Sequence, residues 1–375
     1  MKQNDSYLDF EEAYYQTGKR ENRKKRREVQ VKDRSKHKKS DQDQKKEREV
    51  DSPSCSKTHL RGRVLSIAPE RISVASGSAF YACSMKGVLK KEKTKEKNLI
   101  AVGDWVHFER IDQNSGVIHH IEERSSILIR AENLNRRKTH LMAANIDQVF
   151  IVTSLLSPSF KPLLVDRYIL SAKQGHMNPI ILINKVDLLQ NHTMEFAKEV
   201  VESEEALFHE FLKAYTPLGF PIIQTSTHTK EGIETLLSLM EEKTSVFSGQ
   251  SGVGKSSLIN AALGSSLPTG PIPIKTNKGS HTTTSASLIP LGSQAFCIDT
   301  PGIKSFGLWE NSLESIEGIF PDFLPFKPRC KFPNCSHRHE PTCGIKEAVE
   351  NQALSPMRYQ SYLALLDDTP PKEWE

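Results

Sequence analysis

The stretch of sequence that decides the fold is Gly249-Gln250-Ser251-Gly252-Val253-Gly254-Lys255-Ser256-Ser257. It matches G-x-x-x-x-G-K-[ST], the pattern of loops that bind nucleotide phosphates. The apolar run that ends at Phe247 predicts a buried strand before the loop, and the spacing from Ser256 to Leu263 predicts a helix after it. Glycines let backbone N–H groups turn towards a phosphate, and a helix N-terminus adds a partial positive charge. The sequence therefore predicts a phosphate-binding loop.

We expect every residue of this loop to lie against a bound nucleotide. Lys255 is predicted to reach the β- and γ-phosphates, and the hydroxyl of Ser256 to complete the ligand shell of Mg²⁺. Such loops occur in GTPases, ATPases and kinases, so other motifs must identify the base.

A second motif, Asn184-Lys185-Val186-Asp187, follows another predicted buried strand. The carboxylate of Asp187 can accept hydrogen bonds from the N1–H and the amino group of guanine, whereas adenine presents no such pair of donors. Asn184 is predicted to bond the other edge of the base, and the stem of Lys185 to pack along base and sugar. This motif favours a GTPase over a P-loop kinase.

A third motif, Asp299-Thr300-Pro301-Gly302, closes the predicted strand at 294–298. Asp299 is predicted to hold Mg²⁺ through water, and the amide of Gly302 to meet the γ-phosphate. The hydroxyl-rich segment before it supplies a further magnesium ligand from a switch-type loop. We favour Thr283 for that role, with Thr282 as the alternative.

The order of these motifs along the chain is rotated. Ordinary small GTPases present the phosphate loop first, then the switch threonine, Asp-x-x-Gly and Asn-Lys-x-Asp, whereas here Asn-Lys-x-Asp comes first. A circular permutation moves the termini but preserves the site. We therefore predict a circularly permuted, doubly wound α/β P-loop GTPase domain over residues 129–307.

The residues before this domain predict a five-stranded β-barrel of the oligonucleotide-binding (OB) type over residues 58–128. Five short, roughly alternating runs read as its strands, and Tyr81 and Phe108 lie near basic loops such as that at 90–97. This combination favours nucleic-acid binding. The alternative is a barrel used only for protein contacts.

The cysteines that follow the GTPase domain have metal-ligand spacing, Cys330-x₄-Cys335-x-His337-x₅-Cys343. Three thiolates and one imidazole are typical of a closed structural zinc site. His339 is an alternative to His337 as the fourth ligand. We therefore predict a helical zinc-binding domain over residues 308–375.

The positive charge of the chain is concentrated near its start. Between Lys19 and Arg48 there are 15 Lys or Arg and 6 Asp or Glu, which leaves 36 basic and 40 acidic residues elsewhere. Residues 1–57 have almost no apolar periodicity, so a disordered basic extension is predicted. It either binds phosphate backbones or merely keeps the chain in solution. The sequence contains no apolar run that could cross a membrane and no signal peptide, so a cytoplasmic location is expected.

Taken in this order, the barrel, the permuted GTPase and the Cys-x₄-Cys-x-His-x₅-Cys module closely resemble the RsgA (YjeQ-type) small ribosomal subunit biogenesis GTPases of bacteria. The resemblance covers about residues 58–365 and includes the segments Ala144-Asn145-Ile146-Asp147-Gln148, His281-Thr282-Thr283-Thr284 and Phe306-Gly307-Leu308-Trp309. It implies a monomer with one structural Zn²⁺ that binds GTP and GDP, the 30S subunit and 16S rRNA. It also implies slow hydrolysis of GTP to GDP and phosphate, which the subunit stimulates late in assembly.

Two positions depart from common GTPase patterns. Ile303 stands where many GTPases place a water-orienting Gln, so another group must orient the attacking water, and His281 is our candidate. The segment Thr225-Ser226-Thr227-His228 stands where Ser-Ala-Lys often supports guanine, and the backbone of Ser226 is predicted to serve instead. An RNA-binding scaffold that hardly turns over nucleotide is the alternative function, and Ile303 is the residue that favours it.

Overall fold

The computed structural model describes residues 59–69, 71–85, 99–131, 139–190, 196–266, 286–291, 294–299 and 312–367. The predicted basic extension at 1–57 and the basic loop at 90–97 lie outside these residues. Within them, no helix is both long enough and apolar enough to cross a membrane.

The first five strands close into a small barrel. They are β1 (Leu60–Ile67), β2 (Ile72–Ser76), β3 (Ala79–Met85), β4 (Trp105–Arg110) and β5 (Ser115–Ile121). Strand β1 pairs with both β2 and β4, and β5 pairs with β3 and β4, so this part of the sheet has no free edge. This closed pairing confirms the predicted five-stranded barrel. Alternate apolar residues of its strands point inward and form one buried cluster.

The prediction that Tyr81 and Phe108 help the barrel to bind nucleic acid was wrong. Tyr81 and Phe108 are buried and pack on each other inside the barrel, with ring centroids 5.0 Å apart. Strand alternation places both on the inner face, where they cannot stack on a nucleic-acid base. The residue that alternation turns outward is Phe80, which is 60% exposed.

A two-stranded hairpin leads from the barrel towards the next domain. It consists of β6 (Ile127–Ala131) and β7 (Thr139–Ala144), which pair in antiparallel fashion. This hairpin was not among the predicted elements.

The central domain is a twisted sheet flanked by helices. Its strands are β8 (Gln148–Ser154), β9 (Asn178–Asn184), β10 (Ile222–Thr225), β11 (Thr244–Gly249), β12 (Ser287–Leu291) and β13 (Ala295–Asp299). Their order is β10-β9-β8-β11-β13-β12, and all pairs are parallel except that of β12 with β13. The helices are α1 (Pro162–Gln174), α2 (Asp187–Gln190), α3 (Lys198–Tyr215), α4 (Ile233–Met240) and α5 (Lys255–Ser266). Separate apolar clusters cover the two faces, as expected for a doubly wound domain.

The barrel and the central sheet are joined by a strand pair and a buried arginine. Strand β1 pairs with β12 at Ser66 and Ser287. Arg63, on the same strand β1, donates hydrogen bonds of 2.8 Å to the carbonyl oxygen of Asn145 and to Oγ1 of Thr244, the first residue of β11. Burial lowers the pKa of Arg63 to about 10. The barrel is thus fixed to the strand that carries the phosphate loop.

The C-terminal part is built from short helices around the cysteine motif. They are α6 (Leu313–Glu317), α7 (Gly344–Glu350) and α8 (Pro356–Asp367), with single 3₁₀ turns at Pro321–Phe323 and Lys327–Arg329. Its apolar residues belong to the same buried cluster as those of α1 and α3, so the two domains share one core.

A buried ion pair crosses this shared core. Arg358 of α8 and Asp166 of α1 are both fully buried and form a salt bridge. Arg358 also donates to Asp322 at 3.0 and 3.1 Å and to the carbonyl oxygen of Ile319 at 2.8 Å, while the hydroxyl of Tyr215 donates to Asp166. Each buried charge therefore has hydrogen-bonding partners, which is the condition for tolerating it in a core.

Candidate nucleotide site and metal centre

The phosphate loop connects β11 to α5, as predicted. Gly249 and Gly254 have φ of +143° and +96°, which side-chain-bearing residues rarely adopt. A Cβ on Gly249 would lie 2.0 Å from the carbonyl oxygen of Val152, and one on Gly254 would lie 2.3 Å from Nδ2 of Asn184. Both glycines are therefore required by backbone shape and by close neighbours.

The lysine of the loop folds back over it. Nζ of Lys255 donates to the carbonyl oxygens of Gly249 at 2.7 Å and Gln250 at 2.8 Å. Burial lowers the pKa of Lys255. Ser256 and Ser257, which follow it, are exposed in the first turn of α5, where backbone N–H groups point out of the helix.

Asn184 ties three elements of the site together. Its side chain is buried, Nδ2 donates to the carbonyl oxygen of Val253 at 2.8 Å, and Oδ1 accepts from Oγ1 of Thr225 at 3.2 Å. The carboxamide at the end of β9 thus links the phosphate loop to the end of β10. In this structure it bonds protein groups on both sides.

The carboxylate of Asp187 is held by a hydrogen bond from Ser226, which directly follows β10. Its Oδ1 accepts a 2.6 Å hydrogen bond from Oγ of Ser226, which itself accepts from the backbone N–H groups of His228 and Thr229 at 3.2 and 3.1 Å. The backbone N–H of Ser226 donates to the carbonyl oxygen of Glu231. Ser226 therefore acts here through its hydroxyl, by fixing the carboxylate of Asp187.

A cavity of about 360 Å³ opens beside these groups. It is lined by Ser157, Lys185, Asp187, Leu188, Phe196, Thr227 and His228. Nζ of Lys185 donates to the carbonyl oxygen of Ser157 at 2.7 Å, which lays the stem of the lysine along the cavity. Lys185 and Asp187 were predicted to contact the base, and Thr227 and His228 belong to the segment predicted to support guanine, whereas no role was predicted for Ser157, Leu188 or Phe196.

The remaining predicted site residues are only partly placed. Asp299 ends β13, which neighbours β11, so its backbone lies beside the strand that carries the phosphate loop. Gly302, His281, Thr283 and its alternative Thr282 lie outside the described residues, as does Ile303.

The cysteine motif forms a compact cluster of metal-ligand atoms. One atom from each of Cys330, Cys335, His337 and Cys343 lies within 4.8 Å of the others. Nδ1 of His337 is 3.3 Å from Sγ of Cys343 and 3.6 Å from Sγ of Cys330, and those two sulfurs are 4.0 Å apart. Ligands of a tetrahedral zinc ion lie roughly 3.5–3.8 Å apart, so the donor set fits this metal. His339 is exposed and stands outside the cluster.

The groups around the cluster hold its histidine in place. Nε2 of His337 faces the carboxylate of Glu317 at 3.6 Å, and the hydroxyls of Tyr359 and Tyr362 donate to the carbonyl oxygens of His337 and Ser336. A carboxylate beside the second ring nitrogen is the usual support of a metal-bound histidine. Helices α6 and α8 therefore orient the ligand loop.

Family models match two consecutive parts of the chain. The model described as RsgA N-terminal domain matches residues 61–118, and that described as RsgA GTPase matches residues 121–309. A small ribosomal subunit biogenesis GTPase RsgA of Flavobacterium johnsoniae is 37% identical over 293 residues, which are 77% of this chain and 86% of the relative. The corresponding protein of Chlorobaculum parvum is 40% identical over 279 residues, 72% of this chain and 85% of its own.

Solved structures agree with the sequence relatives. The crystal structure of YjeQ from Thermotoga maritima superposes with a TM-score of 0.64 and 28% identity over 83% of this chain and 98% of that one. The structure of YloQ, described as a circularly permuted GTPase, gives a TM-score of 0.61 and 26% identity over 83% and 96%. Because the two family models match residues 61–118 and 121–309, and both relatives cover more than two thirds of its length, the chain belongs to the RsgA GTPase family.

Proposed function

We propose that this protein hydrolyses GTP to GDP and phosphate while bound to the 30S ribosomal subunit, late in assembly of that subunit. The observation that carries the proposal is the carboxylate of Asp187, fixed by Ser226 at a cavity beside the phosphate loop. A fixed acceptor pair at that place selects guanine. The relatives are named small ribosomal subunit biogenesis GTPases, which supplies the class of partner.

The phosphate loop binds the triphosphate in this proposal. Backbone N–H groups from Gly249 to Ser257 surround the phosphates, and Lys255 exchanges its two carbonyl partners for the β- and γ-phosphate oxygens. Ser256 and Thr283 would hold Mg²⁺ directly and Asp299 through water, where the ion would neutralise charge on the phosphates, and the amide of Gly302 would meet the γ-phosphate.

The base is read at the ends of β9 and β10. Asp187 accepts from guanine N1–H and the amino group, the stem of Lys185 covers the ring, and Asn184 acts chiefly by holding the phosphate loop at the right distance from the base. We assign the backbone of Thr227, which lines the cavity after Ser226, to the carbonyl edge of guanine.

The other parts of the chain serve the ribosomal partner. We propose domains at 58–128, 129–307 and 308–375 after a basic extension at 1–57, with the barrel and the zinc-binding domain contacting 16S rRNA. Outer-face groups such as Arg61, stacked 4.0 Å over Trp105, and the exposed Phe80 suit contact with RNA. The protein acts as a cytoplasmic monomer in this proposal, with one Zn²⁺ in its cysteine cluster.

Hydrolysis measured with and without purified 30S subunits tests the proposed function. We expect slow turnover alone, stimulation of at least tenfold by 30S, none by 50S, and competition by unlabelled GTP but not by ATP.

The His281→Ala variant should bind GTP normally and lose the stimulated rate, because the aliphatic Ile303 cannot orient water. Intact GTP binding without any stimulation would instead support the scaffold function, and full stimulation of His281→Ala would exclude that residue as the orienting group.

A single methyl group in the phosphate loop should abolish nucleotide binding. In Gly254→Ala the new Cβ would meet Nδ2 of Asn184 at 2.3 Å, on a backbone with φ of +96°, so the loop must shift. We expect GTP affinity to fall by more than about 100-fold, since strain and a lost buried hydrogen bond together exceed roughly 2.7 kcal/mol. The matched control is Gly264→Ala in the helix that follows the loop, where a Cβ meets nothing within 4 Å. Its GTP affinity should equal that of the wild type.

Removal of one thiolate should release the zinc. Cys335→Ser is expected to lower the zinc that stays bound after dialysis into metal-free buffer from about one equivalent to below about 0.2, as measured by plasma mass spectrometry, because a closed structural site needs all four ligands. Cys83→Ala, a buried cysteine of the barrel outside the cluster, should keep one equivalent. Equal zinc contents in the two variants would contradict the assignment.

A further inference from the structure

The barrel carries a second group of metal-ligand side chains. One atom each from His59, Glu109 and His119 lies within 4.8 Å of the others. Among the residues that the structure describes, two groups bring three or more His, Cys, Asp or Glu side chains close enough to hold one metal ion. They are this group and the cysteine cluster. The two groups lie in different domains, so metal binding at one does not require the ligands of the other.

Three adjacent strands place these side chains on one patch of the barrel surface. Strand β4 lies between β1 and β5, and the pairing of Leu60, the first residue of β1, with Phe108 brings the preceding residue His59 to the side of Glu109. On the other side of β4 the register shifts, since His107 pairs with His120 but Phe108 pairs with Ile118.

His119 is therefore the extra residue of a β-bulge in β5. A bulge redirects a side chain that regular pairing would hold elsewhere, and bulges are frequent beside functional sites. Here the redirected imidazole stacks on that of His59, with ring centroids 4.7 Å apart. The strands supply rigid support, which a metal site needs.

The polar atoms of the group are spaced for a shared cation. Nε2 of His119 lies 3.2 Å from Oε2 of Glu109. Yet Nε2 is buried and forms no hydrogen bond within the described part of the chain, so the two atoms face each other without hydrogen-bond alignment. Two ligands about 2.1 Å from a tetrahedral zinc ion lie roughly 3.4 Å apart, close to the observed separation. A buried polar atom of this kind calls for a partner.

We propose that His59, Glu109 and His119 bind a divalent transition-metal ion on the surface of the barrel. Two imidazoles and one carboxylate suit zinc, cobalt or nickel and disfavour magnesium and calcium. Three protein ligands leave a fourth position for water or for an oxygen of another molecule. The site does not require the proposed GTPase function and is separate from the cysteine cluster.

The neighbouring histidines provide a contrast. His107 faces Glu122 at 2.9 Å, and that carboxylate also accepts from Arg61 at 2.7 Å. His120 is exposed, with its ring centroid 5.9 Å from that of His107. His120→Ala is accordingly a matched control for His119→Ala, because it removes the next imidazole of the same strand but no predicted ligand.

The test is zinc binding by the full chain, measured by equilibrium dialysis and plasma mass spectrometry. We expect two equivalents for the wild type and for His120→Ala, and one for His119→Ala, in which the second site weakens by at least about 100-fold. Glu109→Gln, which should also fold, is expected to weaken the same site. Circular dichroism checks that the barrel of each variant is intact.

Cobalt added to protein that already holds one zinc ion gives an independent readout. Binding to imidazoles and a carboxylate should produce d–d bands without a thiolate charge-transfer band, and His119→Ala should abolish them. A wild type that saturates at one equivalent, or a His119→Ala variant that keeps the second, would overturn the proposal. In that case His119 and Glu109 form an ion pair and nothing more.

Discussion

The replacement of Arg358 by alanine is expected to lower the free energy of unfolding by about 3–5 kcal/mol. The guanidinium is fully buried between α8 and α1, where it forms salt bridges with both Asp166 and Asp322. It also lies 4.1 Å from the ring centroid of Phe320, so its removal leaves a cavity as well. The main cost is electrostatic, because burial already raises the pKa of Asp166, and without Arg358 this carboxyl must either stay charged and unpaired or take up a proton.

Urea unfolding followed by circular dichroism measures this effect, with the midpoint compared between variants. Arg338→Ala is the matched control, since Arg338 also pairs with an aspartate, Asp367, but the two side chains are 40% and 59% exposed. An exposed pair contributes less than about 1 kcal/mol. Equal midpoints for the two variants would contradict the assignment of Arg358 as the buried link between the domains.

A double substitution distinguishes charge from packing. Asp166→Asn combined with Arg358→Met removes the two opposite charges but keeps most of the volume. Since an unpaired buried charge is the costly state, we expect the double variant to be more stable than the sum of the two single variants predicts.

The periodicity of the sequence predicted most of the strands, because barrel strands alternate and doubly buried strands are continuous apolar runs. Strand β12 was not predicted. It contains Pro290, and a proline normally argues against a strand. In the structure its partner β13 lies on one side, and β1 meets the other side only at Ser287, away from Pro290. The proline thus occupies a position where a missing N–H disrupts no ladder.

The motifs of the site could be read from the sequence, but the contacts between them could not. Asn184 belongs to a recognisable motif, yet its bond to the carbonyl of Val253 depends on the order of strands β9, β8 and β11. Arg358 and Asp166 are separated by 192 residues, so no local pattern relates them. The alternation that predicts the barrel strands also places Tyr81 on the inner face, where the structure has it.

The substitution Asp187→Asn is expected to reverse the base preference of the site. The carboxylate can accept two hydrogen bonds from guanine, and hydrogen bonds to a charged group contribute about 1.5–3 kcal/mol each. Asparagine keeps one acceptor but turns an N–H₂ group towards the amino group of guanine. GTP affinity should therefore fall by roughly 10²–10⁴-fold. Competition against a fluorescent GDP analogue measures the change.

Xanthosine triphosphate provides the decisive comparison for this variant. Xanthine keeps the N1–H donor of guanine but carries a carbonyl oxygen in place of the amino group. The carboxamide of the variant presents one acceptor beside one donor, so it matches this edge of xanthine. Asp187→Asn should bind xanthosine triphosphate more tightly than GTP, whereas the wild type prefers GTP. Ser226→Ala is the control, because it removes only the 2.6 Å hydrogen bond that orients Asp187, and should weaken GTP by about fivefold without changing the preference. A variant that loses both nucleotides equally would show that Asp187 supports the loop and does not read the base.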